Sequence, residues 1–211
     1  LVMALHVNGG PPLSYFAPDA QELRYRSRMG GSWQDVEVVE TGVDESEYVS
    51  ISFDPVTLTF VTAFYNGLTD AAYFAAWEDD MWVLRQIPAQ FDAGRHMELK
   101  VNAIGQPFFC YQEFSQGGRR DLKLTYYSLG KWYFIPLSTT GDTGYFNRIQ
   151  FDQYGYPTVY TLDKENSRIR QYSWTGMQWT VVDCATEVAS QPMGLTTDFD
   201  GEKVLFFFNE D

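Results

Sequence analysis

The segment from Lys164 to Trp174, KENSRIRQYSW, concentrates side chains that are suited to ligand binding. Its candidate residues are Arg168, Arg170, Tyr172 and Trp174. An aromatic ring can stack on the C–H face of a pyranose, while arginine donates charge-assisted hydrogen bonds to hydroxyl groups. These residues are therefore a candidate carbohydrate site. The alternative is that the aromatic residues serve internal packing.

Residue patterns for catalysis or metal binding are sparse in this sequence. Its two histidines, His6 and His96, have no Cys or carboxylate at ligand spacing. The stretch DFDGE, residues 198–202, lacks the later ligands of a calcium loop and is interpreted as a hairpin turn. There is no Gly-x-Ser-x-Gly elbow and no glycine-rich phosphate loop. The sequence therefore predicts no catalytic residue, no metal and no cofactor.

The overall charge excludes several classes of partner. The 211 residues carry a formal net charge of -13, with a pI near 4.5. A binder of nucleic acid or of an anionic membrane surface needs a clustered basic footprint, so neither partner is expected. No apolar run approaches the roughly 18 residues of a spanning helix, which argues against membrane insertion. Arg119 and Arg120, in EFSQGGRRDLK, stand out in this acidic chain and are a candidate protein contact.

A tryptophan motif recurs four times and sets the organisation of the chain. Each copy has a large residue, four residues rich in Gly, Asp or Ser, and then Trp, which predicts a tight hairpin. The copies are RMGGSW, WEDDMW, YSLGKW and WTGMQW, ending at Trp33, Trp82, Trp132 and Trp179.

A second column of residues lies upstream of these hairpins. Alternating segments end in Asn or Asp and are followed by a turn and another strand, as in MELKVN before PFFCYQEF and NRIQFD before PTVYTL. The closing residues are Asn8, Asp54, Asn102, Asp152 and Asp198.

The two columns together define a four-stranded unit of about 48 residues, which is the signature of a β-propeller blade. We predict one all-β domain over 1–211, with blades at 1–47, 48–95, 96–144 and 145–190 and half a fifth blade at 191–211. The fourth strand carries apolar residues three and five positions after Trp, so Cys184 is expected in the core. Cys110 lies in a second strand of another blade, and the two cysteines make no disulfide framework.

The last stretch, KVLFFF, is expected to be the second strand of the fifth blade, which lacks its third and fourth strands. An unpaired strand with these apolar residues would be an aggregation hazard. We therefore expect a protein partner, or the remainder of a longer polypeptide, to complete this blade. The expected contact residues are Val204, Leu205, Phe206, Phe207 and Phe208.

The chain resembles the tryptophan-bearing propeller repeats of bacterial secreted and surface proteins, and blade four is the nearest match to that pattern. Blade one departs from it with Arg28 in place of the aromatic residue, and blade two lacks the Gly-x-Pro turn. KENSRIRQYSW is distantly similar to fucose-lectin repeats. The resemblance implies the fold more than an activity, and it places the protein at the cell surface, in the periplasm or outside the cell. The start at Leu1 would suit removal of a leader, or a piece of a longer chain.

An enzymatic function is the least favoured of three alternatives. Five-bladed glycosidases resemble this architecture and place acids on several innermost strands. The equivalent positions are Ala4, Ser50, Glu98, Arg148 and Gly194, of which one is acidic. The sequence thus favours a non-enzymatic recognition or scaffolding module that binds a protein, then a lectin-like propeller, then a glycosidase-like enzyme.

Overall fold

The structure, a computed structural model, describes residues 2–3, 10–44, 48–115, 117–188, 194–197 and 203–207. Within these residues the chain forms strands and connections and contains no helix. No element of the described chain is therefore a helix that could cross a membrane. The all-β prediction is confirmed.

The strands fall into four sheets and one hairpin, in chain order. The first sheet has β1 (Val2–Met3), β2 (Gly10–Ala17), β3 (Glu22–Met29), β4 (Ser32–Trp33) and β5 (Glu37–Thr41). The second has β6 (Val49–Asp54), β7 (Thr59–Asn66), β8 (Ala71–Glu78) and β9 (Met81–Gln86). The third has β10 (Ala93–Val101), β11 (Pro107–Phe114), β12 (Arg120–Ser128) and β13 (Lys131–Ser138). The fourth has β14 (Tyr145–Phe151), β15 (Pro157–Asp163), β16 (Arg168–Trp174) and β17 (Trp179–Thr186), and the hairpin has β18 (Gly194–Thr197) and β19 (Lys203–Phe206).

Each sheet is an antiparallel meander, and we call the sheets blades one to four and the hairpin the half-blade. In blade one the fourth strand is split, since β4 and β5 both pair with β3. The innermost strands of successive blades lie next to each other, as shown by the contacts of β10 with β6 and β14. This is the predicted propeller of four four-stranded blades and half of a fifth.

The tryptophan motifs form the predicted hairpins between third and fourth strands. In every blade the large residue lies directly opposite Trp: Arg28 and Trp33, Trp77 and Trp82, Tyr127 and Trp132, and Trp174 and Trp179. The three aromatic pairs have ring centroids 5.1–5.6 Å apart. Leu129 and Gly130 have φ of 51° and 77°, the two consecutive positive values that a type I′ hairpin requires.

The Asn or Asp residue at the end of each alternating segment, which we call the Asx column, stabilises the turn between the first and second strands. In blade three the Asn102 Oδ1 accepts hydrogen bonds from the main-chain N–H of Ile104 and Gln106, at 3.1 and 2.9 Å. Asp152 accepts equivalent bonds from Tyr154 and Tyr156 in blade four, at 2.8 and 2.9 Å. A side-chain oxygen thus stabilises each of these two turns through the backbone of the residues that follow it, whereas Asn8 and Asp198 lie outside the described residues.

The core lies between blades rather than within them. The cluster between blades two and three joins β7 and β8 to β10 and β11, with Phe74, Leu99 and Phe109 buried at its centre. Trp132 packs on this cluster, and Trp82 and Trp179 occupy the same place in the two neighbouring interfaces. The Trp of one blade therefore covers the face of the blade before it.

The expectation that Cys184 is a core residue is wrong. Cys184 is exposed, and Val182 beside it is 55 % exposed. The equivalent residues of blade three, Ile135 and Leu137, are half-buried in the cluster that Trp179 covers. In the described chain only β18 and β19 follow blade four. They pack on its inner strands and leave Val182 and Cys184, on its outermost strand, exposed.

A main-chain hydrogen bond is repeated in all four blades. A residue two to seven positions after the end of the fourth strand donates its N–H to a carbonyl at or just before the start of the third strand, at 3.0–3.3 Å. The donors are Val43, Ala93, Thr143 and Val188, and the acceptors are Gln21, Asp70, Arg120 and Ser167. All four donors are buried. The frame of each blade is thus closed by backbone groups.

The close approach of blades two and three depends on Gly94, which has φ of 121°. A Cβ added there would lie 2.7 Å from the Cβ of Ala72. We expect Gly94→Ala to lower the free energy of unfolding by about 3 kcal/mol, because backbone strain adds to overpacking. Gly117→Ala is the matched control, since Gly117 has φ of 93° with nothing within 4 Å, and it should cost about 1 kcal/mol. Equal losses in urea titrations would contradict this account.

Candidate functional site

A cleft of about 800 Å³ lies between blades three and four, and we call it the aromatic cleft. Its aromatic lining includes Tyr126, Tyr133, Tyr154, Tyr156, Trp174 and Trp179. Its polar lining is made of amides and hydroxyls, and none of the described residues that line it carries a charged side chain. A concave surface of this composition suits a neutral ligand that offers both apolar faces and hydroxyl groups.

One wall of the aromatic cleft is a stack of three rings contributed by neighbouring strands of blade three. Phe108 and Tyr126 are 4.9 Å apart with planes within 15°, and Tyr126 and Tyr133 are 4.8 Å apart with planes within 9°. The pairing register sets this stack, because each residue lies directly opposite the next. Strand pairing within blade three therefore builds this wall.

The polar side of the cleft begins at the Asx turn of blade three, between β10 and β11, and continues to Ser128. Asn102 Nδ2 donates to Gln106 Oε1 at 2.9 Å, and Gln106 Nε2 donates to the Ser128 hydroxyl at 2.6 Å. The chain of amide and hydroxyl groups is held at both ends by strands. It can accept and donate hydrogen bonds without a net charge.

The far wall of the cleft belongs to blade four. Trp174 and Trp179 face each other across their hairpin at 5.6 Å. Gly176 in the loop between them lies against Tyr156, since a Cβ there would be 2.8 Å from the Tyr156 hydroxyl. Tyr154 is 74 % exposed beside it. Exposed aromatic side chains thus border the mouth of the cleft.

The equivalent cleft between blades two and three is much smaller, at about 210 Å³. Arg85 and Glu78 line it, and their side chains form an ion pair at 2.7 Å. The equivalent residues in the aromatic cleft are Ile135 and Ser128. The larger volume is therefore accompanied by a change from a charged pair to neutral side chains.

The structure separates the four residues that were predicted to form a carbohydrate site. Trp174 lines the aromatic cleft, whereas Arg168 lies at the other end of β16, roughly 20 Å away at about 3.3 Å per residue. Tyr172 is 2 % exposed and packs in the core between blades three and four. One pocket does not contain all four, and a ligand role remains a prediction for Trp174.

The two arginines of this set are bound to carboxylates. Arg168 Nε lies 2.9 Å from Asp163 Oδ2, and its Nη1 lies 2.8 Å from Asp183 Oδ2. Arg170 Nε lies 3.1 Å from Asp183 Oδ1. Asp163 is buried, so its charge depends on these partners. The arginines stabilise β15, β16 and β17 against each other.

The predicted protein contacts also have different environments. Arg120 binds Asp142 through Nη1 at 3.2 Å and lies over the rings of Phe114 and Tyr145. Arg119 is exposed and lines a shallow groove with Lys164. Arg120 is therefore an internal link, whereas Arg119 remains available at the surface.

The predicted contact strand β19 is half covered. Val204 and Leu205 are half-buried, and Leu205 packs on blade four, whereas Phe206 and Phe207 are 59 % and 39 % exposed. Phe208 lies outside the described residues. In the described chain, β19 pairs with β18 alone, so its other edge is open.

Two of the innermost-strand positions that a glycosidase would use, Ser50 and Glu98, link neighbouring blades. The Ser50 hydroxyl accepts the N–H of Leu99 at 2.9 Å, and the Glu98 carboxylate accepts the N–H of Ile149. Arg148 donates to the carbonyl of Asn147 at 2.7 Å. Burial raises the pKa of Glu98. Gly194 starts β18, and Ala4 lies outside the described residues.

An aromatic row runs along the innermost strands. His96 lies 4.7 Å from Tyr48 and 4.8 Å from Phe146, measured between ring centroids. His96 and Phe146 share a positive φ of 51° and 50°, each at a bulge of its strand. Burial, followed by the nearby charges of Arg95, Arg120 and Lys164, lowers the pKa of His96 to about 4.

Comparison with known proteins places the fold but no family. No family model matches the sequence, and no curated protein matches it. Several solved structures resemble it, including three from three different organisms. The first is a protein of unknown function from Dyadobacter fermentans, with 11 % identity and a TM-score of 0.65, and the match covers 87 % of this chain and 63 % of that one. The second is a triple mutant of AofleA from Arthrobotrys oligospora, with 13 % identity, a TM-score of 0.63, and coverage of 92 % of this chain and 60 % of that one. The third is a Trypanosoma rangeli sialidase in complex with sialic acid, with 11 % identity, a TM-score of 0.60, and coverage of 95 % of this chain and 42 % of that one.

This chain spans 42–63 % of the length of those three structures. At such low identity the likeness shows the fold alone, and it agrees with the propeller of blades described above. The particular blade-repeat family predicted from the sequence remains a prediction.

The aromatic row predicts a specific acid sensitivity. His96 is neutral in the folded protein down to about pH 4, whereas in the unfolded chain it takes up a proton below about pH 6.5. Protonation of His96 in the unfolded chain therefore lowers the free energy of unfolding as the pH drops from about 6.5 to 4, by about 3 kcal/mol, and has no effect above that range. His96→Phe, which copies Phe146, should remove that loss, measured by urea titration at several pH values. A wild-type pH dependence that persists in the variant would rule out this origin.

Proposed function

We propose that this propeller is a non-enzymatic recognition module that binds carbohydrate in the aromatic cleft. The observation that carries the proposal is the neutral aromatic and amide lining of a cleft that is large enough for a sugar of more than one ring. The sequence alone favours a protein partner. The cleft reverses that order, because it is a preformed concave site with the chemistry that a sugar requires.

The two sides of the cleft supply the two parts of sugar recognition. The rings of Trp174 and Tyr156 offer flat faces for the apolar C–H groups of a pyranose. Gln106 and Ser128 lie opposite and offer hydrogen-bond donors and acceptors for hydroxyl groups. Because the part of the chain that the structure describes places no charged side chain in this lining, a neutral sugar fits better than a charged one. A location outside the cell or at its surface agrees with such a ligand and is part of the proposal.

The proposal is tested by a glycan array, followed by titration calorimetry with the best neutral glycan. We expect Trp174→Ala to weaken binding by about tenfold or more, since truncating a central aromatic contact costs more than about 1.4 kcal/mol. Trp77→Ala is the matched control, because Trp77 is at the equivalent hairpin position of blade two and should leave binding unchanged. Absence of glycan binding, or equal affinity in the two variants, would refute the proposal.

A second candidate function is contact with a polypeptide at the open side of the half-blade. The exposed apolar side chains of Val182, Phe206 and Phe207 and the free edge of β19 support it. Strands three and four of a further blade, from the same polypeptide or another, would cover these residues and pair with β19. This partner would be a structural one and would leave the aromatic cleft free.

The second candidate is tested by the mass of the natural protein. We expect light scattering to give a particle heavier than the 24.3 kDa of this sequence, with peptide mapping identifying the added polypeptide. Val182→Asp together with Phe206→Asp should release a separate partner, because carboxylates would be buried without a counter-charge. Arg119→Asp is the control, as it lies on another blade. A stable, soluble 24.3 kDa monomer would refute this candidate.

A further inference from the structure

Blade one carries a row of arginines on one face of β3. Arg24, Arg26 and Arg28 occupy alternate positions, so their side chains share a face of the sheet. Leu23 and Tyr25 point the other way and are buried against blade two. We call the first of these surfaces, with the adjacent Trp33, the arginine face. It holds three of the fifteen basic residues of an acidic protein within five positions.

The position of Arg26 is occupied by uncharged, buried residues in the other blades. The hairpin register aligns Arg26 with Ala75 in blade two, Thr125 in blade three and Tyr172 in blade four, each of which is at most 2 % exposed. These residues lie in interfaces with the preceding blade. Arg26 is half-buried, and none of the hydrophobic clusters of the described chain includes the arginine face. This face is therefore not built for an apolar neighbour.

The arginines are oriented but largely unneutralised. Arg24 pairs with Glu22 at 2.8 Å. Arg26 and Arg28 each use Nε to bind a main-chain carbonyl, at 2.6 and 3.1 Å, and no carboxylate of the described residues pairs with them. Arg26 also lies over the ring of Trp33, at 5.9 Å. Among the described residues, the remaining guanidinium N–H groups of Arg26 and Arg28 have no carboxylate partner, and they can bind an anion in two-pronged fashion.

The geometry points to an acidic polypeptide as the partner of this face: we propose that the arginine face binds an extended segment with carboxylates at every second residue. Alternate residues of a strand are roughly 7 Å apart, so the carboxylates of such a segment repeat at the spacing of the arginines. Charge complementarity of this kind steers association and fixes register, and Arg and Trp are frequent anchors of protein interfaces.

The probe is a dye-labelled octapeptide that alternates Glu and Thr, followed by fluorescence anisotropy at about 50 mM NaCl, where screening is weak. We expect binding that weakens about tenfold or more in the double variant Arg26→Gln and Arg28→Gln. It should also weaken strongly at about 1 M NaCl, where the screening length falls to about 3 Å. Arg119→Gln is the matched control, since it removes an exposed arginine outside the face, and it should bind like the wild type.

Four results would overturn the proposal. They are no binding of the acidic peptide, equal binding of a Lys-Thr peptide, equal loss in the Arg119 control, and tighter binding of an oligogalacturonate through the same arginines, which would make the ligand a polysaccharide. Light scattering of the wild type and of the double variant tests whether a second copy of this chain occupies the face instead. A wild-type dimer that dissociates in the variant would identify that second copy as the occupant and would also overturn the proposal. Thermal unfolding of each variant verifies that the blade remains folded.

Discussion

Burial on both faces of each blade is the constraint on which the rest of this structure depends. The middle strands are apolar on both sides, as in β11, where all but the last residue is buried. A sheet of this kind is stable only when something covers each face. Blades two and three have such cover from their neighbours, and they supply the largest buried side chains. The two ends of the array have to meet the constraint in other ways.

The two ends of the array of blades satisfy this need for cover in different ways. Blade four receives partial cover from the half-blade and leaves Val182 and Cys184 exposed where a Trp-bearing hairpin would otherwise lie. Blade one carries arginines on the face that is turned away from blade two. One end is therefore apolar and open, and the other is basic. A segment that joined them would need an apolar side and an acidic side, unlike the segments between the inner blades.

Much of the fold could be predicted from the sequence, and much of the site could not. The Trp and Asx columns recur in phase, so their hairpins and turns were predictable from local residue types. The ion pairs of Arg168 and Arg170 with Asp183 could not be predicted, because Asp183 lies on β17 and contacts them only when that strand pairs with β16. The aromatic cleft depends on the register of blade three and on Tyr156 of blade four, and no single segment contains both. The available signals were Trp174, which the sequence already marks as a candidate, and the aromatic residues Tyr126 and Tyr133 on either side of the YSLGKW hairpin.

The repeated backbone bond and the Asx turns have an evolutionary consequence. They fix the blades through main-chain groups and, in blades two to four, through one short side-chain oxygen, so most other positions can vary within the limits of packing. A gene that grows by duplicating such units can diversify each copy almost at once. Blade one can become charged, and the clefts on either side of blade three can acquire different linings, without any change of frame. Sequence similarity between blades should accordingly decay long before their geometry does.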